Sequence, residues 1–186
     1  MVTIIFEAHS TTLDNENHIS SGHNDVALSS LGEQQAKELG ERYMDEHFDV
    51  VFVSDLQRSY KTAEIAFGNE QVRASGTKIP IIKDKRLREC DYGDLAGHPS
   101  DELESQKVNH ITEPFPNGES YEQTAERIKV FLDDLKQKYD GRDANVLIIG
   151  HRATQYGLEY WINGKSLEEL VTTLFKWQPG WVYQLG

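Results

Sequence analysis

Two of the seven histidines, His9 and His151, each follow an apolar run that reads as a buried strand. Val2-Thr3-Ile4-Ile5-Phe6 leads to the first and Val146-Leu147-Ile148-Ile149 to the second. An imidazole can serve as nucleophile or as ligand for a transferring group, and two at strand ends can share one site. Gly150, beside His151, lets backbone approach closely. Arg58 follows a third apolar run, Val50-Val51-Phe52-Val53, and can point over the same sheet edge. Glu89 sits in an irregular stretch, Leu87-Arg88-Glu89-Cys90-Asp91-Tyr92-Gly93. A carboxyl that is desolvated, or held near a phosphate, can donate a proton near neutral pH. A nucleophile, a proton donor and a cationic clamp are what phosphoryl transfer through a covalent intermediate requires.

The surrounding pattern predicts the elements that position these groups. Ser30-Leu31-Gly32-Glu33 reads as a capping box opening a helix to about Glu46, with Leu31, Ala36, Leu39 and Tyr43 inward. Ser54-Asp55-Leu56-Gln57 is expected to cap a second helix ending near Gly68. Residues 79–82 read as an edge strand, because Pro80 interrupts them. A polar helix is expected over 100–110, then a rigid turn at Pro114-Phe115-Pro116-Asn117-Gly118. Ala125, Ile128, Phe131, Leu132 and Leu135 recur at helical spacing. A helix with Tyr156, Leu158 and Trp161 follows His151, Ser166-Leu167-Glu168-Glu169 reads as another capping box, and the chain closes with a strand from Trp181. Strands alternating with helices imply one α/β domain over 1–186, a three-layer α/β/α sandwich with a mostly parallel central sheet. In such sheets, sites form beyond the carboxyl ends of strands, where His9, Arg58 and His151 lie.

Composition narrows the function classes. The net charge is −12, from 31 acidic and 19 basic residues, the wrong sign for a protein that tracks nucleic-acid phosphates. An anionic substrate would need local positive charge against that field. No run of about 18 apolar residues predicts a membrane span, and Glu7 comes too early for a signal peptide. The single cysteine, Cys90, fits a reducing compartment, with cytoplasm the expected location. His18 and His23 with Asp14 and Asp25 match no specific metal-ligand template, so no metal or other cofactor is expected.

In this order the motifs resemble those of the histidine phosphatase superfamily, also called phosphoglycerate mutase-like. Ala8-His9-Ser10 stands at the opening Arg-His-Gly motif, followed by Thr12 and Asn15, Ser21-Gly22 and Asp25, and Leu28-Ser29-Ser30-Leu31-Gly32. Val53-Ser54-Asp55-Leu56-Gln57-Arg58-Ser59-Tyr60-Lys61-Thr62-Ala63 is similar to the family's second arginine segment. Leu87-Arg88-Glu89, Gly118-Glu119-Ser120 and Gly150-His151 complete the series. The resemblance implies a phosphoglycerate mutase-like fold. It implies His9 as nucleophile, His151 and Arg58 as ligands of the transferred phosphoryl group, and Glu89 as acid and base. Asn15 and Gly22 would line the phosphate site, with Ser10 and Arg152 as further substrate contacts.

The chain departs from the family at Ala8, which replaces the first arginine, and at Ser10, which replaces a glycine; Glu7 precedes both. Losing a charge-assisted donor in a desolvated site costs on the order of 3 kcal/mol of transition-state stabilisation. If Glu7 faced the pocket it would repel phosphate or orient His9. Arg152, where the family carries a small residue, is expected to swing inward and restore the charge. Tyr156, Tyr160, Trp161, Trp177 and Trp181 read as packing residues, although the 177–181 turn could wall a cleft. The expected activity is metal-independent hydrolysis of a small phosphorylated metabolite. A diverged metabolite-binding member and a phosphomutase are the alternatives, and a homodimer is left open.

Overall fold

The computed structural model describes residues 1–68 and 79–186. The first half forms β1 (Val2–Ala8), α1 (Leu13–Glu16), β2 (Ile19–Ser20), α2 (Ser30–Arg42), β3 (Val50–Val53), α3 (Gln57–Phe67) and β4 (Ile81–Lys83). The second half adds β5 (His98–Pro99), α4 (Ser100–Gln106), α5 (Tyr121–Lys138), β6 (Ala144–Gly150), α6 (Arg152–Asn163), α7 (Leu167–Thr172) and β7 (Trp181–Leu185). Five strands make the main sheet in the order β4-β3-β6-β1-β7. All neighbours are parallel except β7, which runs antiparallel to β1.

Alternation along the strands builds a core on each face. Ile4 and Phe6 of β1, Val50 and Phe52 of β3 and Val146 and Ile148 of β6 pack with Ile128, Phe131 and Leu132 of α5 and Leu158 of α6. Val51, Val53, Leu147 and Ile149 face the other way, onto Leu39 of α2 and Ala63, Ala66 and Phe67 of α3. The result is the expected helix–sheet–helix sandwich. A third cluster, including Tyr92, Leu103, Phe115, Tyr121, Tyr156 and Val171, covers the carboxyl ends of the strands.

Several local expectations change. Ser29, not Ser30, caps α2, accepting from the Gly32 amide. This one-residue shift leaves Leu31 half exposed rather than inward, while Ala36, Leu39 and Tyr43 are buried as expected. Leu56 occupies the N-cap of α3 without a side-chain bond, so Ser54 does not cap it. The edge strand starts at Ile81, just past Pro80. The polar helix breaks into α4 and a 3-10 turn at Lys107–His110.

Gly32 lies where α2 crosses the segment after His9. A Cβ there would sit 1.9 Å from the Thr11 carbonyl oxygen, so only glycine fits. Gly32→Ala should cost about 1–3 kcal/mol by overpacking, lowering Tm by roughly 3–10 °C in a thermal melt followed by circular dichroism. An unchanged Tm would show that the two segments do not meet this closely.

Candidate active site

Strand register brings the two histidines together. In the β1–β6 pair Ala8 stands opposite Gly150, and the His9 amide donates to the Gly150 carbonyl at 2.9 Å. The next residues, His9 and His151, therefore emerge side by side, with ring centroids 5.0 Å apart. On the other flank of β6, Val53 pairs with Ile149, so Ser54 emerges next to His151. Its Oγ lies 2.7 Å from His151 Nε2. His151 Nδ1 is buried and has no hydrogen-bond partner among the described residues.

His9 Nδ1 lies 2.8 Å from the Ser10 carbonyl oxygen. A carbonyl only accepts, so Nδ1 carries the ring proton and Nε2 keeps its lone pair. Burial, and then the charge of Arg58, pull the His9 pKa down to about 3. The same causes, with His9 added, hold His151 well below the ordinary histidine value. Both rings are thus neutral near pH 7 in the unliganded protein.

A cleft of about 420 Å³ opens over these rings, and Asn15, Gly22, Arg58, Glu89 and Arg152 all reach its walls. Arg58 is buried; it donates to the carbonyls of Gly22 at 2.6 Å and Asn24 at 2.8 Å. Gly22 holds a left-handed φ of 51° at this turn. Asn15 Oδ1 accepts from the Thr12 amide and hydroxyl, tying off the segment that follows His9. The Glu89 carboxylate sits at the start of α6, accepting from the amides of Cys90 at 2.8 Å, Ala153 at 3.0 Å and Arg152 at 3.2 Å. His23 joins no metal cluster; its Nε2 lies 2.8 Å from the Glu89 carbonyl oxygen, linking the Gly22 turn to the Glu89 loop. Among the described residues, no group of three or more His, Cys, Asp or Glu is arranged to hold a metal ion. No helix among them is long and apolar enough to cross a membrane.

Three sequence expectations fall differently. Arg152 lines the cleft, but its guanidinium is engaged by Glu104 at 3.2 Å and the Thr173 carbonyl at 3.0 Å. At the outer wall it shares Glu104 of α4 with Lys107, so it is held there and not aimed at the rings. Ser10 does not line the main cleft: its carbonyl fixes His9 and its amide donates to Thr62 Oγ1. Glu7 turns away onto α2, as strand alternation past Phe6 requires. There its buried Oε1 accepts from Tyr43 at 2.6 Å, Arg42 at 2.8 Å and the Gly180 amide at 3.0 Å.

Glu7 and Ser10, with Gln35, Glu38 and Arg42, instead line a second cavity of about 410 Å³. It shares Ala8, His9, Thr11 and Trp177 with the cleft. Ser54 and Arg42 escaped the sequence reading. Ser54, one residue past β3, meets His151 and does not cap α3. Trp177 and Phe175 wall the cleft, although the 173–180 segment carries no periodic pattern.

The described geometry has counterparts. Residues 4–176 match the family model for the histidine phosphatase superfamily (branch 1). The chain is 32% identical over 174 residues to the uncharacterized phosphatase PhoE of Bacillus subtilis (strain 168), covering 94% of this chain and 84% of that one. It is 30% identical to a 2,3-bisphosphoglycerate-dependent phosphoglycerate mutase of Cytophaga hutchinsonii, covering 96% and 80%. Bacillus stearothermophilus YhfR superposes with a TM-score of 0.78 at 24% identity, over 94% of this chain and 86% of its own. The two relatives at 30% identity or more support a phosphatase or mutase activity, and the superposition shows the fold. With its phosphoglycerate mutase-like sheet and a family match over nearly its whole length, this chain belongs to the histidine phosphatase superfamily.

Proposed function

We propose that the protein is a metal-independent phosphatase that hydrolyses a small phosphorylated metabolite through a phosphohistidine on His9. The observation that carries this reading is the His9 Nδ1 bond to the Ser10 carbonyl, which leaves Nε2 as a fixed, unprotonated nucleophile at the cleft floor. With substrate bound, Glu89 takes up a proton beside the negatively charged phosphate; Nε2 attacks phosphorus, the ester P–O bond breaks, and the leaving alkoxide takes that proton from Glu89. Water then attacks the phosphohistidine, Glu89 takes the water's proton, and the N–P electron pair returns to Nε2. The Ser10 carbonyl stabilises the cationic ring while phosphorus is attached. Arg58 and the unpartnered Nδ1 of His151 hold the phosphoryl oxygens. Asn15 and Gly22 line the phosphate site beside them.

Incubation with a panel of radiolabelled phosphate esters should leave acid-labile phosphate on His9 and release inorganic phosphate. His9→Ala should abolish both. Arg58→Ala should lower kcat/KM about 10²- to 10³-fold, the scale for removing one donor to developing charge. Label absent from the wild type across the panel, or retained in His9→Ala, would overturn the reading.

Arg152→Ala should lower kcat/KM far less than Arg58→Ala, by about tenfold or less, because Glu104 and the Thr173 carbonyl hold its guanidinium at the outer wall. Equal losses in steady-state assays would make Arg152 an inner phosphate ligand.

The pH dependence of stability follows from the neutral histidines. Their folded-state pKa values lie below the unfolded value of about 6.5, so this contribution is intact above that pH. It is lost as pH falls towards the His9 value of about 3, because the unfolded chain takes up protons that the native one does not. Urea unfolding of the ligand-free protein should show stability falling by up to about 1.4 kcal/mol per pH unit per histidine between pH 6.5 and 5. His9→Asn should make that fall shallower; equal slopes would contradict a neutral His9.

A further inference from the structure

The Glu89 carboxylate takes its aim from main chain. Its three donors, the amides of Cys90, Arg152 and Ala153, are backbone groups, so the carboxylate cannot follow them if its own backbone shifts. The stretch that carries it, residues 88–92, forms neither helix nor strand. Its backbone groups therefore need partners from outside the strand ladders.

One side chain of α5 supplies most of them. Arg127 Nη1 donates to the carbonyls of Arg86 at 2.5 Å and Arg88 at 2.9 Å, and Nη2 donates to the Glu89 carbonyl at 2.8 Å. Its remaining N–H groups go to Glu119, from Nη2 at 2.6 Å and from Nε at 3.2 Å. All five guanidinium N–H groups are used, three of them on this one loop. Glu119 closes the clamp, because its Oε1 also accepts the Asp91 amide at 3.1 Å. Two other side chains touch the loop, His23 at the Glu89 carbonyl and Thr154 at the Leu87 carbonyl, and each meets a single carbonyl. Only a planar fork of fixed geometry sets three carbonyls relative to one another.

We propose that Arg127, backed by Glu119, is the positioning residue for proton transfer: it holds the Glu89 backbone where the carboxylate reaches the leaving oxygen and then the attacking water. This rests on Glu89 being the acid and base of the reaction. Arg127 does not line the cleft, so its influence passes through Glu89. Losing Arg127 should then resemble losing a proton donor. An ester whose alcohol leaves poorly should suffer, and one whose anion is stable should suffer less.

The test compares kcat/KM for phenyl phosphate and 2,4-dinitrophenyl phosphate. This constant ends at leaving-group departure, so the water step common to both esters does not enter it. Phenolate needs the proton from Glu89, whereas dinitrophenolate departs without it. Glu89→Gln should lower the phenyl to dinitrophenyl ratio about 100-fold or more, the scale of general acid catalysis. Arg127→Gln should lower the same ratio by about tenfold or more. Arg127→Lys keeps the charge without the fork; it should lower the ratio by a smaller factor, and it carries the test if circular dichroism shows Arg127→Gln unfolded. Equal losses on both esters in the folded Arg127 variants, with the ratio lowered in Glu89→Gln, would make Arg127 a structural residue and overturn this proposal alone. An unchanged ratio in Glu89→Gln would remove Glu89 from proton transfer and overturn both. Turnover of neither ester by the wild type, with no phosphate on His9, overturns the phosphatase reading and the proposal with it.

Discussion

The parallel register between β1 and β6 is the constraint on which the site depends. With Ala8 opposite Gly150, the first residues beyond each strand are His9 and His151, and no long side chain is needed to bring them together. A one-residue slip would send Phe6 and Ile148 to the wrong face, so the apolar cores on both sides enforce the same register that builds the pair. The adjoining β3–β6 register delivers Ser54 to the far side of His151. Packing energy spread over the whole sheet therefore fixes a geometry used at its edge.

Electrostatics at that edge are balanced narrowly. Arg58 contributes buried positive charge, which helps keep both imidazoles neutral. Arg152 stands nearby but is held by Glu104, which it shares with Lys107, and Glu7 is paired with Arg42. Replacing the motif arginine with Ala8 thus leaves a less cationic centre than the family's opening motif implies, in a chain carrying a net charge of −12. The Glu7 knot gives something structural in return. By accepting from Gly180 it ties the segment carrying Phe175 and Trp177 to the end of β1, beside His9. Gly180 suits this role, since its φ of 59° is left-handed and a Cβ would lie 2.8 Å from the Tyr43 hydroxyl.

The architecture was legible in the sequence because strands buried on both faces read as continuous apolar runs, as at 50–53 and 146–149, and helices as periodic ones. Helix starts were read less well, since neighbouring serines compete for the cap: Ser29 won over Ser30, and Ser54 was drawn to His151. The clustering of His9, Arg58, Glu89 and His151 followed from strand ends plus motif order. The fates of Arg152, Glu7 and Ser10 did not, because each depends on a partner distant in sequence: Glu104, Arg42 and Thr62. Trp177 lay in a segment with no periodicity, where only tertiary packing decides which way a ring faces.

The central claim is that His9 presents an unprotonated Nε2 to a phosphoryl group held by His151 and Arg58. A crystal structure with orthovanadate, which adopts the geometry of a phosphoryl group under attack, tests it most directly. The account predicts vanadium bonded to His9 Nε2, with His9 Nδ1 still on the Ser10 carbonyl and His151 and Arg58 on the equatorial oxygens. Vanadate held at Arg152 instead, or bonded to His151 while His9 stays uninvolved, would contradict it.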